Sequence, residues 1–271
     1  MRMDRFPARP ESVSPTNMWQ SAKVAVVVPC FREARLIART IAGIPAFVDL
    51  IVVVDDASDD GTARAVIATA DPRVQLVLHT ENRGVGAAIV SGYRTALSAN
   101  CDVFAVMAGD AQMAPEDLTA VVAPVALGQV SYVKGNRFQH ARYADMPRAR
   151  RFAGRLLALA TRWATGLRVD DCQCGYTAIS RAAVLRLSLD DLWPRFGYPN
   201  DLLGMLAARG LSVCEVPVRP VYADEQSGVR AWHALSILWL IARRYLRERG
   251  VHRALPSGAN GAIDDLLSEA E

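Results

Sequence analysis

The sequence predicts an α/β fold built on a doubly wound, mostly parallel sheet. Three observations predict it. Apolar, β-branched runs of about five residues alternate strictly with segments of helical spacing. Within these runs the apolar residues are continuous, as strands buried on both faces require. Each run stops abruptly at a polar loop, so in a parallel sheet the loops all face one edge. That edge, outside the carboxyl ends of the strands, is where open α/β sheets bind ligands.

The first run is Val24 to Val28, ending in Pro29-Cys30-Phe31-Arg32-Glu33. Leu36, Ile37, Ile41 and Ile44 then recur at helical spacing. Leu50 to Val54 is the second strand, and Asp55-Asp56-Ala57-Ser58-Asp59-Asp60-Gly61-Thr62 follows it. A helix runs from Thr62 to Ala70. Val74 to Leu78 is the third strand, leading into Glu81-Asn82-Arg83-Gly84-Val85-Gly86. Ala87 to Ser98 is a helix whose small residues allow close packing. Val103 to Met107 is the fourth strand, cut off by Gly109-Asp110-Ala111-Gln112.

The second half is less regular. Val130 to Val133 is a strand, with Gly135-Asn136-Arg137-Phe138 after it. Arg148 to Gly166 reads as a long helix with an Arg-rich start and an apolar body of Leu156, Leu157, Leu159, Ala160 and Trp163. The loop Asp170-Asp171-Cys172-Gln173-Cys174-Gly175-Tyr176 leads into Thr177 to Ser180. Leu202 to Arg209 is helical, and Val213 to Val218 is an alternating strand. Leu235 to Ala242 is apolar all round but spans only about 12 Å, with Arg230 before it and Arg243, Arg244 and Arg247 behind it. Residues 1–21 read as a flexible leader, 229–250 as an amphipathic helix and 251–271 as a flexible tail.

Composition narrows the function classes. The chain has 271 residues, 51% of them hydrophobic and 22% charged, which supports a substantial globular core. A net charge of +3 gives no basis for nucleic-acid binding. The charge is uneven, however: from Gln129 to Asp170 there are nine Lys or Arg against two Asp and no Glu. Such a block is a solvated face or an electrostatic site for anions or an anionic membrane. Cys30, Cys101, Cys172, Cys174 and Cys214 are scattered, and no apolar signal segment opens the sequence, so reduced thiols in the cytoplasm are expected. No run reaches the length of a spanning helix.

Neither common phosphate-binding glycine loop is present, nor is a serine nucleophile elbow. The predicted crevice offers carboxylates instead: Glu33, Asp55, Asp56 and Asp110. Carboxylates hydrogen-bond base and ribose donors, and they hold hard cations that take the rest of their shell from substrate phosphates. In isolation Asp110 serves equally as a helix cap, although Pro115-Glu116-Asp117 can start that helix unaided.

Taken in order, Pro29-Cys30-Phe31-Arg32-Glu33, Asp55 to Thr62, Asn82-Arg83-Gly84 and Gly109-Asp110-Ala111-Gln112 resemble the motifs of family 2 nucleotide-sugar glycosyltransferases. Within that family the chain is most similar to the dolichyl- or polyprenyl-phosphate sugar transferases, over about residues 23–228. The resemblance implies a glycosyltransferase A type fold in residues 22–228, with a nucleotide-binding half at 22–113 and an acceptor half at 114–228. It implies that Pro29, Phe31 and Glu33 line the nucleoside pocket and that Asp55 or Asp56 contacts base or ribose. Arg83 and Gly84 would lie beside the nucleotide. Asp110 and Gln112 would hold Mg²⁺ or Mn²⁺ on the diphosphate. The family's usual Asp-x-Asp is Ala108-Gly109-Asp110 here, so the first carboxylate is absent. The resemblance implies Arg137 facing phosphate on donor or acceptor, Asp171, Gln173 and Gly175 in the acceptor loop, and Ser227 in a loop closing over phosphate. Asp201 stands where members acting on hydroxyls carry a catalytic base.

Each residue also has an ordinary structural reading. Glu33 suits a first helical turn, Ser58 and Thr62 suit a turn and a cap, and Asp201 suits a helix N-cap. The arginines at 148, 150, 151 and 155 suit a solvated face. Trp232 and Trp239 suit packing.

The expected activity is inverting, metal-dependent sugar transfer from a nucleoside-diphosphate sugar to a polyprenyl or dolichyl phosphate. One alternative is a hydroxyl acceptor with Asp201 as base. Another is a catalytically weak nucleotide-sugar-binding protein on the same fold. The basic segment 134–155 and the short helix Ala231 to Arg247 favour the lipid phosphate. They suggest a cytoplasmic protein lying peripherally on the inner face of a membrane, or a homo-oligomer through that helix.

Overall fold

The computed structural model describes residues 22–221 and 231–248. Seven strands form one sheet: β1 (Val24–Cys30), β2 (Leu50–Asp55), β3 (Val74–Leu78), β4 (Val103–Val106), β5 (Tyr132–Asn136), β6 (Thr177–Ser180) and β7 (Val213–Pro217), in the order β3-β2-β1-β4-β6-β5-β7. The pairs β2/β3, β1/β2, β1/β4 and β5/β7 are parallel. Only β6 runs against its neighbours, β4 and β5. The first four strands therefore wind outward to β3 and return to β4 on the other side of β1. That reversal leaves a crevice at the carboxyl ends of β1 and β4.

The helices are α1 (Ile37–Gly43), α2 (Thr62–Ala68), α3 (Val85–Ser98), α4 (Leu118–Ala126), α5 (Arg148–Thr165), α6 (Arg181–Leu185), α7 (Tyr198–Ala208) and α8 (Ala231–Glu248). They cover both faces of the sheet, which explains the continuous apolar strands. On β1, Val24, Val26 and Val28 pack into one apolar cluster with α1 and α4, while Ala25 and Val27 pack into the other with α3. A side chain on Gly92 of α3 would lie 2.2 Å from Val27 Cγ1, so this helix touches the sheet through its backbone.

Three sequence expectations shift. The strand expected at Val130–Val133 lies at Tyr132–Asn136, so Gly135 and Asn136 belong to the ladder. The helix expected from Leu202 begins at Tyr198, with Gly197 at its N-cap in the left-handed region. Finally, α8 turns its apolar face inward: Ile237, Leu240 and Ile241 are buried, and the helix packs on α5 and α7. That face is filled by this chain, so the reason for seating it on a membrane or a second copy is removed. Residues 1–21, 222–230 and 249–271, including Ser227, lie outside the described residues, as does the side chain of Trp232. Among the described residues no helix is long and apolar enough to cross a membrane.

Candidate active site

The loop after β2 braces the loop after β1. Ser58 Oγ accepts the Arg32 N–H at 2.8 Å, Thr62 Oγ1 accepts the Glu33 N–H at 2.9 Å, and Asp60 accepts the Ala34 N–H at 3.1 Å. Arg32 and Ala57 hold φ values of +57° and +65°, a region non-glycine residues enter only when contacts hold them there. The cap of α2 is Gly61, with no side-chain cap bond. Ser58 to Thr62 thus clamps the neighbouring loop, which neither a plain turn nor a helix cap describes.

Asp55 and Asp56 part company. Asp55 Oδ1 accepts the Ser58 N–H at 3.0 Å within its own loop. Asp56, 3% exposed, reaches across to the loop after β3. It accepts from His79 Nδ1 at 2.5 Å and from the backbone N–H groups of Arg83 and Gly84 at 3.0 and 2.7 Å. Gly84 has φ +88°, and a Cβ there would stand 2.7 Å from the Pro194 carbonyl oxygen. Both the backbone angle and the close approach require glycine.

Pro29, Phe31, Asp56 and Gly84 line one cavity of ≈ 210 Å³ together with Asn82. Asn82 Oδ1 is buried without a hydrogen-bond partner among the described residues. A buried amide oxygen left in this state favours a ligand N–H. The sequence reading valued Asn82-Arg83-Gly84 for Arg83 and Gly84, yet Asn82 is the polar side chain of this stretch at the cavity, and Arg83 is exposed. Glu33 and Asp55 lie on the two braced loops and do not line this cavity.

At the end of β4 the Gly109 N–H donates to the Pro29 carbonyl at 3.1 Å. A Cβ on Gly109 would meet Cys30 Cβ at 2.8 Å. The β1 and β4 loops therefore touch through backbone. Ala111 holds φ +55°, and Asp110 Oδ1 accepts the Gln112 N–H at 3.0 Å. Asp110 and Gln112 line a cavity of ≈ 100 Å³ with Arg137, Arg150, Gly175 and Arg219. Among the described residues no three His, Cys, Asp or Glu gather to hold a metal ion. One carboxylate and one amide beside three guanidinium groups do not make a protein-only cation site. They fit a Mg²⁺ or Mn²⁺ that shares its shell with an anionic ligand.

Arg137 is fixed from below. Asp171, 1% exposed, accepts Arg137 Nε at 2.7 Å, Nη2 at 2.9 Å and the Arg137 backbone N–H at 3.0 Å. Burial pushes the Asp171 carboxyl up, but the Arg137 charge and these hydrogen bonds outweigh it and hold it below the usual value. Glu215 in turn accepts the backbone N–H groups of Asp170 and Asp171 and, at 2.8 Å, Asn136 Nδ2. Burial raises the Glu215 carboxyl. Lys134 is fully buried beneath the loop, donates to the Cys174 carbonyl at 2.6 Å, and has its pKa lowered by burial. Gln173 donates to Asn200 Oδ1, and Asn200 Nδ2 donates to Thr161 Oγ1 at 2.8 Å. Glu215 and Asn200 as supports, and Arg219 as a lining residue, are roles that sequence reading did not assign. These residues come from distant segments and carry no local signal.

A second, more apolar cavity of ≈ 210 Å³ shares Arg137 and Arg150 with the Asp110 cavity and continues along Phe138, Gly154, Leu157 and Ile237. Of the arginines read as a solvated face, Arg150 thus belongs to the site.

Asp201 is not at this site in the expected sense. It is 2% exposed and sits inside α7, four residues past the cap. Its oxygens accept Arg244 Nε and Nη2, both at 2.7 Å, and the Trp193 N–H at 2.8 Å. A carboxylate so engaged by a guanidinium anchors α8, and this pairing argues against the expected general base. The N-cap alternative is corrected, since Gly197 is the cap.

Comparison with known proteins gives the family and the fold. Residues 25–187 match the family described as Glycosyl transferase family 2. The chain is 24% identical over 217 residues to a UDP-N-acetylglucosamine–dolichyl-phosphate N-acetylglucosaminyltransferase of Methanococcus voltae, covering 74% of this chain and 86% of that one. It is 27% identical over 258 residues to a polyprenol monophosphomannose synthase of Mycolicibacterium smegmatis, covering 90% and 95%. The fold superposes with TM-score 0.68 and 20% identity on glucosyl-3-phosphoglycerate synthase from Mycobacterium tuberculosis, solved with Mn²⁺, UDP and glucosyl-3-phosphoglycerate, covering 93% of this chain and 88% of that one. The chain has the fold of the nucleotide-sugar transferases and belongs to glycosyltransferase family 2.

Proposed function

We propose that this glycosyltransferase moves a sugar, with inversion, from a nucleoside-diphosphate sugar to a polyprenyl or dolichyl phosphate at a membrane surface. The observation that carries the acceptor half is the pair of cavities sharing Arg137 and Arg150. One holds Asp110 and Gln112; the other is a more apolar groove suited to a prenyl chain. A lipid phosphate has an anionic head and an apolar tail, and the shared arginines stand where head and tail join. The names of the Methanococcus and Mycolicibacterium relatives support the same acceptor class.

In this reading Pro29, Phe31, Asp56, Gly84 and Asn82 take the nucleoside, with Glu33, Asp55 and Arg83 beside it. Asp110 and Gln112 would hold a Mg²⁺ or Mn²⁺, which when bound would offset charge on a diphosphate leaving group. Arg137, stiffened by Asp171, and Arg150 orient the acceptor. A phosphate oxygen attacks the anomeric carbon opposite the leaving group, and the anomeric C–O bond breaks with its electron pair going to the diphosphate. The acceptor needs no base, because a phosphate monoester is doubly ionised above its second pKa of about 6. A hydroxyl acceptor needs one, and Asp201 is buried against Arg244. Gln173 and Gly175 belong to the acceptor loop, and Ser227 is proposed to close over phosphate.

The test is calorimetric binding of UDP, GDP, ADP and CMP, with and without Mn²⁺, followed by transfer from the matching nucleotide sugar. One nucleoside diphosphate should bind in a cation-dependent manner, and Asp110→Ala should weaken it by about tenfold or more and abolish transfer to a short-chain polyprenyl phosphate. Donor binding without turnover on any acceptor indicates a binding protein. Transfer to hydroxyls but not to prenyl phosphates indicates the other acceptor class. No binding under any condition overturns the transferase reading.

A further inference from the structure

Helix α5 carries a surface that the site does not use. Phe152, Leu156, Leu159 and Trp163 are 74%, 51%, 64% and 76% exposed. Spacings of four, three and four residues put them in one row along the helix, about 16 Å long at 1.5 Å per residue. The opposite face, through Leu157, Ala158 and Thr161, is buried in the protein. Globular helices bury their apolar stripe, and this one buries another face and presents the stripe outward. Trp163 touches Tyr245 of α8, ring centres 5.3 Å apart, and still exposes most of its indole. Beside the row stand Arg148, Arg155 and Arg162, seven residues apart and therefore on one flank, all exposed. Arg162 meets Asp170 at 3.0 Å, and Arg155 lies over the Phe138 ring at 5.9 Å.

We infer that this face of α5 is a docking surface for an anionic lipid bilayer, with Phe152, Leu156, Leu159 and Trp163 entering the headgroup boundary and the Arg148–Arg155–Arg162 row meeting lipid phosphates. Charge decides between occupants. A second copy would bring a face of the same sign, whereas an anionic bilayer supplies both the apolar layer and the opposite charge. The surface sequence reasoning looked for on the C-terminal helix is on α5. The placement deepens the lipid-acceptor reading and rests on it only for its purpose: Gly154 and Leu157 of the same helix line the apolar cavity that leads to Arg137.

Flotation of the full-length protein with phosphatidylcholine vesicles, with and without phosphatidylglycerol, tests the surface with no donor or acceptor present. The wild type should float with the anionic vesicles at low salt and detach at high salt. Phe152→Ser/Trp163→Ser and Arg148→Glu/Arg155→Glu should each lose about tenfold or more of that binding, with unchanged melting temperature and sedimentation. Absence of wild-type flotation, or equal flotation of both variants, overturns the proposal. A wild-type dimer that Phe152→Ser/Trp163→Ser converts to monomer overturns it in favour of a second copy. The two readings separate in detergent: the Phe152→Ser/Trp163→Ser protein should still glycosylate a short-chain prenyl phosphate. Vesicle binding without any such transfer leaves the docking surface standing and removes the acceptor.

Discussion

Asp171 keeps its charge in the interior by pairing. Arg137 gives it three hydrogen bonds, and its carboxyl stays below the ordinary value of 3.8 despite burial. A depressed pKa means that the unfolded chain binds the proton more readily. The resulting stability is fully present above 3.8 and is lost as pH falls through the folded value. Asp171→Asn should therefore destabilise the protein by about 2–3 kcal/mol at neutral pH. In denaturant melts the gap from wild type should close as pH drops below 3.8; a gap of constant size would mean that Asp171 is not the titrating partner. Glu215 runs the other way, since its raised pKa weakens folding as pH rises past 4.5, but it is common to both proteins and cancels in the comparison. The same pair shows why the Arg137 motif was legible while its geometry was not. Its motif is local, but its anchor lies 34 residues away.

Between elements, the seat of α8 shows how packing overrides pattern. Its apolar run and flanking arginines read as an outward face. In the fold, Arg244 is 4% exposed and reaches Asp201, Glu248 and the Asp191 carbonyl. Gly204 of α7 makes room for it, because a Cβ there would stand 2.4 Å from Arg244 Cγ. In an isolated helix, glycine to alanine gains about 1 kcal/mol. Here Gly204→Ala should lose about 1–3 kcal/mol through overpacking, measured by chemical unfolding. A neutral or stabilised variant would show that α8 is not seated on Gly204. Helix α5 makes the converse point: of its apolar body Leu157 is buried, while Leu156, Leu159 and Trp163 form a stripe that faces outward.

Across the whole molecule, strand order gathers the loops. Because β1 lies between β2 and β4, the segments at 29–33, 55–62, 82–84 and 109–112 meet at one edge although 80 positions separate the first from the last. The bound state should be stiffer and more stable as a unit. At a hundredfold excess over its Kd, the matching nucleoside diphosphate with Mn²⁺ should add about 2.7 kcal/mol, raising the melting temperature on the order of 5–10 °C. At the same ligand concentration, a roughly tenfold weaker Kd in Asp110→Ala should remove about half of that rise. An equal rise in both proteins would place the nucleotide elsewhere, and no rise in either would show that it does not bind.

The sequence by itself determined the alternation of strand and helix, the burial of strands on both faces, and the polar loops that gather at one edge. These are encoded by residues near one another in the chain, through periodicity and turn residues. Tertiary structure alone decided that Asp56 braces a loop, that Asp201 answers Arg244, and that Asn82 Oδ1 is left without a hydrogen-bond partner among the described residues. It also decided which amphipathic helix keeps its apolar stripe outside. Each of those outcomes depends on which distant side chain arrives opposite. A carboxylate or a leucine has the same local signature whether its partner is a guanidinium, a ligand or a lipid.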